Sequence, residues 1–386
     1  MWEKVLRGSN IYYMWILALL VVAGFGFLMY LKQLNFGLGI TGMSRDVSWA
    51  LYVGQLTFLV GVAASAVMVV LPYYLHNFKV FGKITILGEF VAVPAVIMCI
   101  LSVTVDLGRP DRVMNVLLHP TPNSVLFWDV VVLNVYLFLN IIIGWTVLSY
   151  ERRGGVKPPL WTRVLIYISI PWAFSIHTVT AFLYAGLAAR GFWLTAIMAP
   201  RFLGSAFAAG PALLIVLSYL LKKFDGFDAG EEAITALSKI VAYAMVASLF
   251  FFGCEIFTVY YSQVPEHMYH FKYMFVGLHG HTAMVPVMWL SAVLAIGATV
   301  LLVIPSTRNN RKVLPVACVM AFVALWLEKG LALIVVGFIP SMMETVTEYV
   351  PTFPEAAITL GIWAIGALIL TLLYKVAMGV KRETAS

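Results

Sequence analysis

Long apolar runs separated by short polar turns recur along the whole chain, at 11–31, 48–75, 83–105, 124–150, 162–187, 201–222, 235–262, 271–304, 313–338 and 357–379. A helix needs about 20 apolar residues to cross the hydrocarbon core of a bilayer, and every run reaches that length. The pattern predicts an all-α polytopic membrane protein with about ten transmembrane helices, numbered here as spans 1 to 10. The eighth run is longer than a bilayer requires and is expected to begin outside it or to tilt. No polar stretch is long enough for a soluble domain, so residues 1–386 read as a single integral membrane domain. The first run is not followed by a clean small-residue cleavage site, which predicts an uncleaved span.

Small residues mark two runs: Gly54, Gly61 and Ser65 in span 2, and Gly204, Ser205 and Gly210 in span 6. Such residues let membrane helices approach closely. Each of these spans precedes one with an acid inside it, Glu89 or Glu255. This weak internal similarity predicts two four-helix bundles, 48–187 and 201–338, flanked by the helices 11–31 and 357–379.

Composition narrows the class. Apolar residues make up 62% of the 386 and charged residues 11%, against about 25% charged in soluble domains. A soluble enzyme, a secreted module and a disordered chain are excluded. The net charge of +7 would suggest nucleic acid in a soluble protein. Here it follows the positive-inside rule, and no nucleic-acid partner is expected. Ten crossings place both termini on one side, and 17 of the 25 basic residues lie there, Lys4, Arg7, Lys157, Lys381 and Arg382 among them. The bias predicts a multi-pass protein of the cytoplasmic (inner) membrane with both termini cytoplasmic. The connections 32–47, 105–123, 188–200, 263–270 and 339–356 then face outward and look built to receive a partner. Cys99, Cys254 and Cys318 lie in apolar runs without a CxxC. They cannot hold an iron–sulfur cluster, and no metal site is expected.

An ionisable group in hydrocarbon costs several kcal/mol unless paired or wet, so each one marks a structural pair or a functional site. The set is Glu89, Asp129, His177, Glu255, His279, His281, Glu328 and Lys329. All but Glu89 fall at the middle or in the outer half of their predicted spans. They predict a polar pocket open to the outer side, rimmed by Asp106, Arg109, Arg112, Arg190 and Arg201. Internal ion pairing is the competing explanation for any one of them. Histidines and carboxylates near a redox quinone exchange its protons, so quinone hydrogen bonding or proton relay is the favoured chemistry. A b-type haem between His177 and His281 is the weaker alternative. Glu89, Asn140, Asn134 and Asp129 form a candidate proton chain, with a helix-packing network as its rival.

Local patterns now add a resemblance. After span 3 the chain reads Asp106-Leu107-Gly108-Arg109-Pro110-Asp111-Arg112; Trp128-Asp129 opens span 4; Ser175-Ile176-His177-Thr178 lies in span 5; and Arg190–Trp193 leads to Pro200–Ser205. Together these resemble the NrfD, or polysulfide-reductase membrane-subunit, family. The overall character looks closest to its DsrP-like group, the membrane subunit of the sulfite-reduction-associated Dsr complex.

The resemblance implies a quinone- or quinol-interacting membrane subunit of a respiratory redox complex, not catalytic alone. It implies menaquinone or ubiquinone, with nothing covalently bound, and a ferredoxin-like iron–sulfur subunit docked on the outer face. By resemblance, Asp106, Arg109, Trp128, Asp129, His177 and Arg190 are the quinone-side positions. Glu255, His279 and His281, with Glu89, are the further proton-handling candidates read from the residues. A secondary transporter or proton channel remains the alternative, since midplane carboxylates and histidines also serve transport.

Overall fold

A computed structural model describes residues 8–76, 78–154 and 158–385, without the side chains of Ser65 and 381–385. Lys4, Arg7 and Lys157, and the side chains of Ser65, Lys381 and Arg382, lie outside what is described. Among the described residues ten helices are long and apolar enough to cross a membrane: Asn10–Phe36, Leu51–Leu75, Lys79–Asp106, Val125–Arg152, Leu160–Ala185, Met198–Asp225, Glu231–Ser262, Val285–Val303, Val313–Val336 and Phe353–Val380. The protein is an all-α, multi-pass integral membrane protein. An even number of crossings returns the chain to its starting side, called here the terminal side; the opposite side is the distal side.

The eighth span is the main departure from the hydropathy pattern. Its first part is a separate helix, Pro265–Phe275. A tight turn follows, in which the Leu278 and His281 backbones exchange hydrogen bonds of 3.0 and 2.9 Å. The two central residues have positive φ, 51° at His279 and 86° at Gly280, the geometry of a type I′ turn. The span itself starts only at Val285. His279 and His281 are therefore on the distal surface and not inside a span: His279 is exposed and His281 half-exposed.

Span 2 sits at the centre. Every residue from Leu51 to Ala63 is buried. It packs against spans 3, 5, 6 and 9, while 3 packs on 4, 4 on 5, and 6, 7, 8 and 9 follow one another and close back on 6. Spans 1 and 10 pair with each other, and 10 covers spans 3 and 4. Span 1 presents large apolar side chains outward, Leu17, Val21 and Phe27 among them, as expected where lipid is the solvent.

Two spans depart from regular α-helix. Span 2 tightens into a 3₁₀ turn at Ala64–Ala66, and span 9 widens into a π turn at Glu328–Ala332, which packs on span 2. Glycine permits the contact: a Cβ at Gly54 would lie 1.8 Å from the Gly330 carbonyl oxygen. Neither backbone can yield, so Gly54→Val is expected to cost about 3 kcal/mol or more. Thermal unfolding in detergent checks this, with Gly24→Ala, which meets nothing within 4 Å, unchanged.

Candidate functional site

The buried face of span 5 carries a polar stripe. His177, Thr180 and Tyr184 stand at i, i+3 and i+7, so helical geometry puts them on one side. All three are fully buried. The Thr180 hydroxyl lies 2.6 Å from Oδ1 of Asp129 and 2.7 Å from the Ile176 carbonyl oxygen. One hydroxyl proton cannot serve two acceptors. A proton on Asp129 would complete the set, with the acid donating to Thr180 and Thr180 to Ile176. The Tyr184 hydroxyl lies 2.5 Å from the Thr57 hydroxyl, which itself donates to Val53 O at 2.8 Å. His177 differs: neither ring nitrogen has a hydrogen-bond partner among the described residues. A buried polar atom left unpaired costs about 1–3 kcal/mol, which sets this imidazole apart from the other polar groups of the stripe.

A second cluster faces this one from spans 6, 7 and 9. Arg201 forks between Glu255 and Glu328. The fork geometry of a guanidinium suits two carboxylates at once. Lys329 is buried beside it, with Nζ 3.4 Å from the Phe202 carbonyl oxygen and 4.0 Å from the Phe202 ring centre. The π turn opens span 9 where Glu328 and Lys329 sit next to each other. Such turns recur at functional sites. Lys329 is within electrostatic reach of His177, which ties the clusters together. At 1.5 Å per residue, Asp129, His177, Glu255 and Lys329 lie about 6–12 Å below the distal helix ends.

An aromatic roof closes the distal end. Trp49 stacks on Trp193 at 6.3 Å, and both meet Phe338 edge-on. Trp193 donates to Leu333 O at 2.8 Å. The half-buried Arg190 guanidinium sits 4.4 Å above the Phe338 ring. Arg201, expected on the rim, is instead buried, its guanidinium turned inward to Glu255 and Glu328.

Other sequence-selected residues spread out. Arg109 is exposed and pairs with Asp111 at 2.9 Å; Arg112 is also exposed. Trp128 is exposed and donates to Pro122 O at 2.8 Å. Asp106 is half-buried, and one of its oxygens is enclosed without a partner among the described residues. His281 Nδ1 approaches Glu348 at 3.4 Å on the distal surface, so it does not share the depth of His177 that the sequence pattern suggests. Glu89 is buried in the terminal half. It borders a cavity of about 10 Å³ shared with Tyr136, Asn140 and Ser169, space for one water. Asn134 donates back to Val130 O at 2.8 Å and is only half-buried; Tyr136, fully enclosed, occupies the place expected for it.

Several residues escaped the sequence pattern. Thr180 and Tyr184 carry no charge to flag them, although their spacing from His177 could have. Glu355 is completely buried and accepts from Tyr349 at 2.5 Å and from the Gly42 amide at 3.0 Å. Its Phe-Pro-Glu setting at a helix start was the available signal. His270, on the distal helix Pro265–Phe275, places Nδ1 2.8 and 2.9 Å from the Val336 and Ile339 carbonyl oxygens.

Two measurements probe this frame. Arg201→Met leaves two buried carboxylates unneutralised and is expected to cost about 3–5 kcal/mol. Adding Glu255→Gln and Glu328→Gln should recover most of it, read by thermal unfolding in detergent. Burial holds the His270 pKa below its ordinary value, against the pull of the two carbonyls. The unfolded chain therefore takes up the proton first as pH falls below about 6.5. Stability from a neutral His270 is complete above that pH and declines below it. The wild type should lose more stability than His270→Phe between pH 7.5 and 5.5.

The NrfD, polysulphide reductase, family model matches residues 39–339, which include both clusters and the roof. A protein of Halobacterium salinarum described as the membrane subunit of a dimethyl sulfoxide reductase is 28% identical, over 92% of this chain and 88% of its own length. The integral membrane subunit of an Hdr-like menaquinol oxidoreductase from Archaeoglobus fulgidus is 23% identical, over 65% of this chain and 62% of its own. The integral membrane subunit of a menaquinone reductase from Nitratidesulfovibrio vulgaris is 21% identical, over 94% and 90%. With a family match running from the first distal connection to the end of span 9, this chain belongs to the NrfD family of polysulphide-reductase membrane subunits.

Proposed function

We propose that the protein is the quinone- or quinol-interacting membrane subunit of a multi-subunit redox complex, exchanging electrons with an iron–sulfur partner. The observation that carries this is His177, fully buried with both ring nitrogens unpaired, on the same helix face as the Thr180–Asp129 bond. The donor set suits a quinone, whose two-electron chemistry moves two protons. His177 can donate to or accept from one quinone oxygen, and Asp129 can hold a proton at Oδ1 while Thr180 fixes its rotamer. Relatives named as subunits of menaquinol and menaquinone oxidoreductases support menaquinone over ubiquinone. A DsrP-like complex remains the physiological setting proposed from the residues.

In this reading spans 2–5 and 6–9 are two bundles, and quinone reaches the first from the lipid side between helices. The positive-inside bias supports cytoplasmic termini, with the roof facing the opposite compartment. The partner docks there, over Arg190, with Arg109, Trp128, His279 and His281 in the surrounding surface. Glu89, through Tyr136 and Asn140, is the proton entrance from the terminal side. Glu255 belongs with Arg201 and Glu328 in a charge store facing the quinone site.

Asp129→Asn or His177→Leu should lower the rate of quinol oxidation by the intact complex by about 10²-fold or more, the usual scale for a lost proton-exchanging group. Stopped-flow reduction of the iron–sulfur partner by quinol is the readout; full activity in Asp129→Asn would sink the assignment. The π turn that sets Glu328 and Lys329 side by side in the interior favours a second reading as a proton pathway proper. Proton flux in liposomes holding the subunit without its redox partner would establish that one instead.

A further inference from the structure

The terminal side carries a site that the redox chemistry does not use. A cavity of about 150 Å³, with charged side chains in its lining, lies where the end of span 6, the start of span 7 and the connection between spans 8 and 9 meet. Its charged lining is Lys222, Arg308 and Arg311 against Asp228 and Glu231. Lys222 pairs with Asp228 at 3.1 Å, and Arg311 pairs with Glu231. Arg308 has no carboxylate partner among the described residues. Its guanidinium is fixed instead by the last carbonyls of span 8, Leu302 O at 3.2 Å and Val303 O at 3.5 Å. One positive charge is therefore left over, held in place at the level where helix ends meet headgroups.

The cavity does not stand alone. Glu231 and Thr235 also border an open, mainly apolar groove of about 880 Å³, walled by Pro72, Phe78, Val80, Phe81, Ala236 and Ile240. His76 and the oppositely charged Glu232 and Lys239 are also on its lining. From Glu231 to Ile240 the groove follows span 7 for about 14 Å toward the membrane interior. A cationic pocket opening into an apolar channel along a membrane helix has the shape of an amphiphile with an anionic head. We propose that this site binds an anionic phospholipid, with the phosphodiester beside Arg308 and an acyl chain along Ala236 and Ile240. Basic pockets between helix ends take lipid headgroups in this way. The proposal does not depend on the quinone assignment.

The test is native mass spectrometry of the full-length protein in its isolated complex, with phosphatidylglycerol and phosphatidylcholine offered together. Phosphatidylglycerol should be retained at least fivefold over phosphatidylcholine. Arg308→Gln should lower its retention at least fivefold, Arg308→Lys less, and Ile240→Trp should lower it by filling the groove. Lys32→Gln, on span 1, should leave it unchanged. Equal retention of the two lipids, or undiminished retention in both Arg308→Gln and Ile240→Trp, would overturn the proposal. So would displacement of the lipid by menaquinone. Inorganic phosphate stabilising the protein as well as phosphatidylglycerol does would assign the pocket to a free anion and overturn it too.

Discussion

Charges inside a membrane protein have to be neutralised by one another. The fork of Arg201 between Glu255 and Glu328 is the contact around which the second half of this molecule is arranged. It joins spans 6, 7 and 9, and a buried guanidinium with both carboxylates in place is tolerable where one with a missing partner is not. The π turn of span 9 sets Glu328 at the fork and Lys329 beside Phe202. Gly54 in turn lets span 2 press against that turn. The electrostatic need and the steric permission are met at one crossing.

The same crossing links the clusters chemically. His177, on the helix face of the Asp129–Thr180 bond, lies within electrostatic reach of Lys329. A change of charge on one side is therefore felt on the other. The aromatic roof of Trp49, Trp193 and Phe338 seals this interior at its distal end. Low dielectric strengthens each charge effect beneath it.

The spans were legible because hydropathy is a one-dimensional signal and lipid imposes it strongly. Asp129, His177 and Glu255 were legible because a titratable residue in hydrocarbon must be there for a reason. His279 and His281 misled because Gly277 and Gly280 end the helix inside a run whose average hydropathy stays high. Arg201 looked like a rim residue because it stands one turn inside a helix, and sequence does not reveal that its guanidinium turns inward. The Asn134 step failed on angle. At about 100° per residue it stands about 140° round the helix from Asp129, whereas Tyr136 is within about 20°. Glu355 was lost to a boundary, two residues before the predicted start of span 10. The uncharged hydroxyls of Thr180 and Tyr184 carry too little desolvation penalty to be conspicuous in a sequence.

The enclosure of span 2 has a consequence for how the chain is made. Its polar side chain Gln55 accepts from Trp326 at 3.0 Å and from Trp363 at 2.9 Å, partners that leave the ribosome some three hundred residues later. During synthesis span 2 must enter the bilayer on its own apolar character and wait there with its amide unsatisfied beyond its own helix. Span 2 is thus made before the helices that enclose it. Span 10, by delivering Trp363, supplies contacts that Gln55 has lacked since its own synthesis.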